Sequence, residues 1–491
     1  MYLEPREEAA FDSAFDGRSI GGLYSQPPGP SRMSINNVLP FVNGKMHVKL
    51  SELSGKYGDV FQLTVAGKKI VVLNNLGVVW DALVDQDGKF SDRADFDILR
   101  EAPQRHFLEL KSGDSWRRHR DLFVGAMQEY FAGRWGEMES WLHQEADHLS
   151  ETISRHEGAF DPNRCISLAN LSFIQRIIFG RSCTREDERS FNENGLTFLP
   201  NGFMNAVRLG LLPRAWRLFF YLSRKHSLDN FKEGITGLSA YIARNVDDHK
   251  KSFDECNPRD MCDYLLRGVR QVPLVERDKF QVHEQDVVNG SLTQFAGAGT
   301  GVPTFALRWA LLYLIRYPEV QETLQQELDA VVDGVPKMSD RSRLPHMQAF
   351  INELLRHTSI SPMAAVYYAT TGDAMIGNYI VEKNTPVIVN YYSVTRDPSV
   401  WDEPERFHPE RFLDEQGKLR KDLQNKFFPF GLGARRCIGE HLGRMQIFLL
   451  CAHLVYRFRF SAAPGEKRAH KIIPGVFLVP ESYRMVATPR I

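Results

Sequence analysis

The apolar and polar positions divide the chain into a long helical middle and extended pieces nearer its two ends. Residues 48–57 carry the spacing of an amphipathic helix. Residues 59–74 then alternate, with Val60 to Val65 and Ile70 to Leu73 on either side of Ala66 and Gly67, which predicts a hairpin. Residues 82–87 and 107–111 read as short pieces around a loop. From Trp116 to about Val246 helical patterns dominate, punctuated at Asp161-Pro162, Asn201-Gly202 and Pro213. A polar break at 255–259 precedes a helical piece over 261–268. A long helix is predicted from Asp286, read as its N-cap, to Tyr317 just ahead of Pro318. Further helices follow over 319–332 and 347–357. Residues 371–389 read as strands with a turn at Gly377-Asn378, 402–414 as proline-punctuated coil, and 472–485 as extended again. No internal repeat interrupts this order. It predicts one α+β fold, predominantly α-helical with small β-sheets, over residues 31–491. A polar segment, residues 1–30, precedes it and ends in the stiff run Pro27, Pro28, Gly29, Pro30.

Composition narrows the function classes. With 61 basic and 61 acidic residues the formal charge is zero, so no global field argues for nucleic acid. Six cysteines in 491 residues do not make a disulfide framework, and a reducing compartment is expected. No C-x-x-C pair occurs, and His143 and His148 lie five apart, off a shared helix face, which argues against a zinc site. No uninterrupted apolar run reaches transmembrane length, and the acidic, polar first thirty residues are unlike a signal or transit peptide.

The chemistry concentrates near the C-terminus. Cys437 sits in a loop bracketed by Gly431, Gly433 and Gly439, beside Arg435 and Arg436, and an apolar helical run over 445–456 follows. Neighbouring guanidiniums and a helix start favour a thiolate and are expected to lower its pKa. The glycines are expected to let backbone approach a flat ligand. Three more patterns precede it. Trp116 and Arg120 lie four apart and share a helix face. Glu353 and Arg356 are three apart on another helix. Pro404, Phe407, Pro409, Glu410, Arg411 and Phe412 form the segment that follows.

Phe430, Gly433, Arg435, Cys437 and Gly439 fill the pattern F-x-x-G-x-R-x-C-x-G, and the four motifs in this order resemble the cytochrome P-450 family over roughly residues 27–491. The run from Ala306 to Pro318 and the proline hinge point more narrowly to its animal microsomal branch. The resemblance implies a single cytochrome P-450 fold holding haem b, with Cys437 as the metal ligand. It implies cofactor contacts from Arg93, Trp116, Arg120, Ala298, Phe430, Arg435, Cys437 and Gly439. It also implies a structural network of Glu353, Arg356 and Arg411, a pair that would otherwise read as a solvated salt bridge. Where the family often has a His or Arg after Pro362, Tyr367 and Tyr368 stand here.

The implied activity is that of a haem-thiolate monooxygenase. It inserts one oxygen atom from dioxygen into a lipophilic substrate (a steroid, fatty acid or xenobiotic). NADPH-derived electrons arrive through a reductase, with cytochrome b5 as a further partner. Basic residues around the loop (Arg117, Arg118, Lys421, Lys426, Arg436 and Arg444) suit an acidic donor protein. Substrate contacts are expected from Phe96, Phe198, Phe295, Val366 and Phe477, all apolar. The resemblance places such a protein on the cytosolic face of the endoplasmic reticulum membrane. This chain shows no N-terminal anchor, so soluble and peripheral placements stay open, the latter through the aromatic and arginine-rich stretch 198–221.

One pattern departs from the family. The long helix should carry A-G-x-(D/E)-T. Without gaps, Ala298, Gly299, Thr300, Gly301 and Val302 stand there, so glycine replaces the acid and valine the alcohol. A shifted register would put Thr300 at the alcohol position, but its two extra residues would rotate the rest of the helix by about 200°. Thr300, Gly301 and Val302 are therefore the candidate oxygen-activation positions. Pro303 is expected to weaken the helix and to permit a kink or bulge there. Two competing functions follow from the missing pair: a reductase-independent isomerase or dehydratase acting on a hydroperoxide, and a haem-binding protein with little turnover.

Overall fold

The structure is a computed structural model. It describes residues 25–30, 44–65, 68–86, 88–94, 106–184, 187–188, 214–364, 366–466, 471–473 and 475–490. Phe96 and Phe198 lie outside these residues.

The molecule is a predominantly helical α+β fold. Its principal helices are α1 (Met46–Tyr57), α2 (Gly113–Phe131), α3 (Trp135–Ser154), α4 (Asn163–Phe179), α5 (Arg214–Lys250), α6 (Met261–Gln271), α7 (Ser291–Arg316), α8 (Pro318–Val331), α9 (Pro345–Thr358) and α10 (Glu440–Arg457). Strands β1 (Val60–Val65) and β2 (Lys68–Leu73) form the hairpin that the alternation predicted. They join β3 (Asp92–Arg93), β4 (Tyr368–Ala369) and β7 (Pro386–Val389) in a sheet of order β1-β2-β7-β4-β3. Within it β2 and β7 run parallel, with Val72 opposite Ile388, and the other pairs run antiparallel. Strands β5 (Ala374–Ile376) and β6 (Tyr379–Val381) pair around the Gly377-Asn378 turn. Near the C-terminus β8 (Phe458–Ala462) pairs with β11 (Met485–Pro489), and β9 (Ile472–Ile473) with β10 (Val479–Pro480).

Helix α7 is the axis of the core. Most of its residues from Ser291 to Leu314 are buried, as are α10 residues Met445 to Val455 and most of α4. A helix apolar on every face belongs inside a large core. With the π-helical turn Gln285–Gly290 that leads into it, α7 is long and apolar enough to cross a membrane, but 78% of its apolar window is buried within this fold. Asp286 lies inside that turn, so the predicted N-cap is corrected. Its carboxylate instead holds His106 Nδ1 at 2.6 Å and Lys111 Nζ at 3.4 Å.

No bulge forms at Pro303, because α7 runs through it as unbroken α-helix. Proline has no N–H, so the carbonyl of Gly299, four residues earlier, loses its intrahelical donor. Gln446 Nε2 on α10 donates to that carbonyl at 3.1 Å and to Asn170 Oδ1 on α4 at 3.0 Å. Asn170 Nδ2 in turn donates to Thr304 Oγ1 at 3.2 Å, and Thr304 Oγ1 donates to the Thr300 carbonyl at 2.7 Å. A Cβ on Gly299 would lie 2.7 Å from Ile174 Cδ1, so that side chain would have to shift for a larger residue. A buried polar cluster thus stitches three helices where one backbone bond is missing. Gln446→Leu should cost about 1–3 kcal/mol by stranding these acceptors, read as a lower denaturation midpoint. An unchanged midpoint would show that the cluster contributes nothing.

Candidate haem-thiolate site

The Cys437 loop takes its shape from its glycines. Gly431 (φ 80°) and Gly433 (φ 67°) adopt left-handed conformations, and a Cβ on Gly433 would lie 2.0 Å from the Leu83 carbonyl oxygen. The close approach that requires Gly433 is therefore to protein backbone. No atom would crowd a Cβ on Gly439. The Cys437 N–H donates to the Phe430 carbonyl at 2.9 Å, closing the loop just before α10. Arg444 stacks over Phe430, 4.7 Å from its ring centre.

Cys437 is exposed, yet desolvation is the largest influence on its thiol and raises the pKa above the ordinary value. A side chain that water can touch while protein surrounds it faces an internal space. The Gly439 N–H and Arg120 pull the thiol pKa down, while Glu440 and Glu109 push it up. The expected lowering by Arg435 and Arg436 is thus corrected: burial outweighs charge, and the cation acting on the sulfur is Arg120.

Helix α7 also leaves one face open within the core. Ala298 is exposed although it sits mid-way along this core helix, and Gln294 and Val302, one turn to either side, are half-buried. Positions four apart share a face, so these three form an incompletely buried stripe along one side of the helix. Thr300 is wholly buried on another side, and its Oγ1 has no partner among the described residues. It is not brought to the stripe; Val302 is, with the buried Gly301 beside it. This geometry is that of the gapless register.

Three guanidiniums converge beside the space. Arg435 Nε donates to the Ser91 carbonyl and Nη2 to the Lys111 carbonyl, both at 2.6 Å, and the group lies 3.8 Å from the Trp116 ring centre. Arg120 approaches the same ring at 5.9 Å. Arg93 donates to the carbonyls of Glu109 and Val366, each at 3.0 Å, and stacks on Tyr368 at 4.9 Å. Burial first, and then repulsion by Arg93, pull the Arg435 pKa down to about 8. Its Nη1 is buried without a partner, and none of the three pairs with a carboxylate among the described residues. Such a cluster is short of anions. The two propionates of haem would fit it, and an accessible sulfur beside it would fit the iron.

Behind the loop, Glu353 and Arg356 are wholly buried. Arg356 Nε and Nη2 hold the carboxylate at 2.7 and 2.9 Å, Arg411 Nε at 3.1 Å and the His408 N–H at 2.9 Å. Arg356 Nη1 also donates to the carbonyls of Thr395 and Pro404. The structure thus brings all three residues of the expected network together. Of the expected substrate residues, Phe295 packs on Phe123 at 5.8 Å between ring centres and Phe477 on Phe305 at 5.8 Å, while Val366 is buried.

The fold and this site define a haem-thiolate enzyme. A family model described as Cytochrome P450 matches residues 27–487, and the chain belongs to that family. It is a monooxygenase-class oxidoreductase whose family carries haem b. The chain is 42% identical over 449 residues to the "Polybrominated aromatic compounds synthase" of Pseudoalteromonas luteoviolacea (strain 2ta16), covering 91% of both chains. It is 32% identical over 452 residues to "Cytochrome P450 1A1" of Oryctolagus cuniculus, covering 89% of this chain and 86% of that one. Against "Cytochrome P450 1A1" of Sparus aurata the identity is 33% over 457 residues, covering 90% and 86%. The narrower animal branch is only weakly suggested, since the 42% identical relative is bacterial.

Glu109 and Gln446 were missed by sequence reasoning. Neither belongs to a motif, and only contacts distant in the chain give them meaning. Glu353→Leu should strand two guanidiniums, lower stability by about 3–5 kcal/mol and reduce haem content, measured as the ratio of Soret to protein absorbance. Full haem loading at unchanged stability would contradict that role.

Proposed function

We propose that the enzyme oxidises lipophilic aromatic substrates at a haem b whose iron is bound by the Cys437 thiolate. When bound, the haem supplies redox chemistry with dioxygen, and thiolate donation favours O–O cleavage. The single observation that carries this reading is the accessible Cys437 sulfur beside an arginine cluster that forms no carboxylate ion pair among the described residues and keeps a buried guanidinium donor unused. Trp116, Arg93, Arg120 and Arg435 would hold the propionates, while Ala298, Phe430 and Gly439 would line the ring. Glu353, Arg356 and Arg411 would fix the loop. Residues 31–491 would form the catalytic domain. The hinge anchors onto it, with Gln62 N–H donating to the Pro28 carbonyl at 2.8 Å.

The aromatic substrate class draws on the bacterial synthase, whose printed name specifies polybrominated aromatic compounds. It suits the apolar Phe295, Val366 and Phe477, with Phe96 and Phe198 as further contacts in the same reading. NADPH-derived electrons would come through a reductase, with cytochrome b5 as an accessory. Arg117, Arg118 and Arg444 are paired with Asp114, Glu276 and Glu440, leaving exposed Lys421, Lys426 and Arg436 as the cations for an acidic donor. Membrane contact would be peripheral, at the endoplasmic reticulum in a cell that has one.

A second reading has its own support. Gly301 and Val302 offer neither acid nor alcohol at the stripe, which favours a hydroperoxide substrate that brings its own O–O bond. Turnover of 4-bromophenol with NADPH and a reductase, compared with reductase-free consumption of a fatty-acid hydroperoxide, separates the two. Reductase-dependent loss of the phenol is expected. Consumption of the hydroperoxide alone would reverse the order. Val302→Thr should raise product formed per NADPH consumed, within the factor of about 10² to 10⁴ that proton transfer contributes. An unchanged ratio would mean that another group supplies the protons.

A further inference from the structure

Glu109 lies in a single turn of 3-10 helix, Leu108–Leu110. Its Oε2 accepts from Gln294 Nε2 at 3.1 Å, and its own N–H donates to Gln294 Oε1 at 3.3 Å. Its carbonyl accepts from Arg93 Nε at 3.0 Å. Gln294 stands one turn before Ala298 on the stripe of α7, so this pair fixes the carboxyl at the edge of the internal space. Like Cys437, Glu109 retains some exposure, yet desolvation is the largest influence on it and raises its pKa. Arg93, Arg435 and Gln294 act in the opposite direction.

Ala298, one turn further along α7, is small and exposed. The Glu109 carboxyl keeps lone pairs that Gln294 alone does not fill, so it can accept a further hydrogen bond. A hydroxyl-bearing ring would satisfy them. A site built around such a bond also rejects the analogue that lacks the hydroxyl.

We propose that Glu109, oriented by Gln294, is the specificity-determining residue that selects hydroxylated aromatic ligands by hydrogen-bonding their O–H group, and so fixes which ring edge faces the cofactor. This rests on the aromatic reading given under Proposed function.

The test uses purified holoenzyme, titrated with 4-bromophenol and with 4-bromotoluene, which is similar in shape and lacks the hydroxyl. Binding is read from the shift of the Soret band. The wild-type enzyme should bind the phenol at least about tenfold more tightly, the scale of one hydrogen bond to a desolvated carboxyl. Glu109→Leu should weaken the phenol by about tenfold and leave the toluene unchanged, whereas Glu109→Gln should keep the preference to within about threefold. An equal phenol-to-toluene ratio in wild-type and Glu109→Leu would overturn the proposal, as would equal weakening of both ligands. If Glu109→Leu does not load haem, Gln294→Leu is titrated in its place, with the same tenfold loss expected for the phenol and an unchanged ratio overturning the proposal. Should neither ligand shift the wild-type band, the aromatic reading itself fails and takes this proposal with it. Toluene binding without phenol preference would overturn the proposal alone.

Discussion

Glu353 is a carboxylate buried away from all solvent, and four hydrogen bonds from Arg356, Arg411 and the His408 backbone compensate its charge. The position of the cysteine loop depends on that compensation. Arg356 also stacks over Trp401 at 5.4 Å, and Trp401, Phe412 and Phe427 pack their rings within 6.0 Å of one another. Phe427 opens the stretch that leads to Cys437. An ion pair in a dry core is poor evidence of added stability, because desolvation offsets its attraction. Its effect here is positional: each donor has one arrangement that leaves no charge stranded, so the segments meeting at Glu353 keep one geometry.

On the other side of the loop the electrostatics run the opposite way. Arg120 and Arg435 share the Trp116 ring with Arg93 close to Arg435, none of them in a carboxylate ion pair among the described residues, and Arg435 keeps a buried donor unused. One region of the molecule is therefore fully compensated and rigid, while the adjoining one is short of negative charge. A dianionic, planar ligand with a metal centre relieves both deficits, since its carboxylates answer the arginines and its metal answers the sulfur. Loop, cation cluster and helix stripe are three demands met by one cofactor.

Much of this was legible in the sequence, for definite physical reasons. The hairpin and the long helix follow from periodicity, a local property of the chain, while the network residues follow from the family resemblance of the motifs. The register of α7 was open between Thr300 and Val302. The continuous helix, with Val302 on the stripe and Thr300 on a buried side, corresponds to the gapless reading. Pro303 removes the expected backbone bond, but the freed Gly299 carbonyl is answered by Gln446, 147 residues away in the chain, and no local pattern encodes that. The thiol pKa misled for a similar reason: two adjacent arginines were visible, but the burial that outweighs them was not. Glu109 belongs to no motif, and only the fold sets it against Gln294.

The account turns on Cys437 as the iron ligand, and the most direct test is the absorbance of the reduced, carbon-monoxide-treated protein. Wild-type enzyme should show the strongly red-shifted Soret band of thiolate-bound haem. Cys437→Ser, checked for folding by circular dichroism, should lose that band. A folded Cys437→Ser protein that keeps the red-shifted band, or a folded wild-type chain that takes up no haem, would contradict the account.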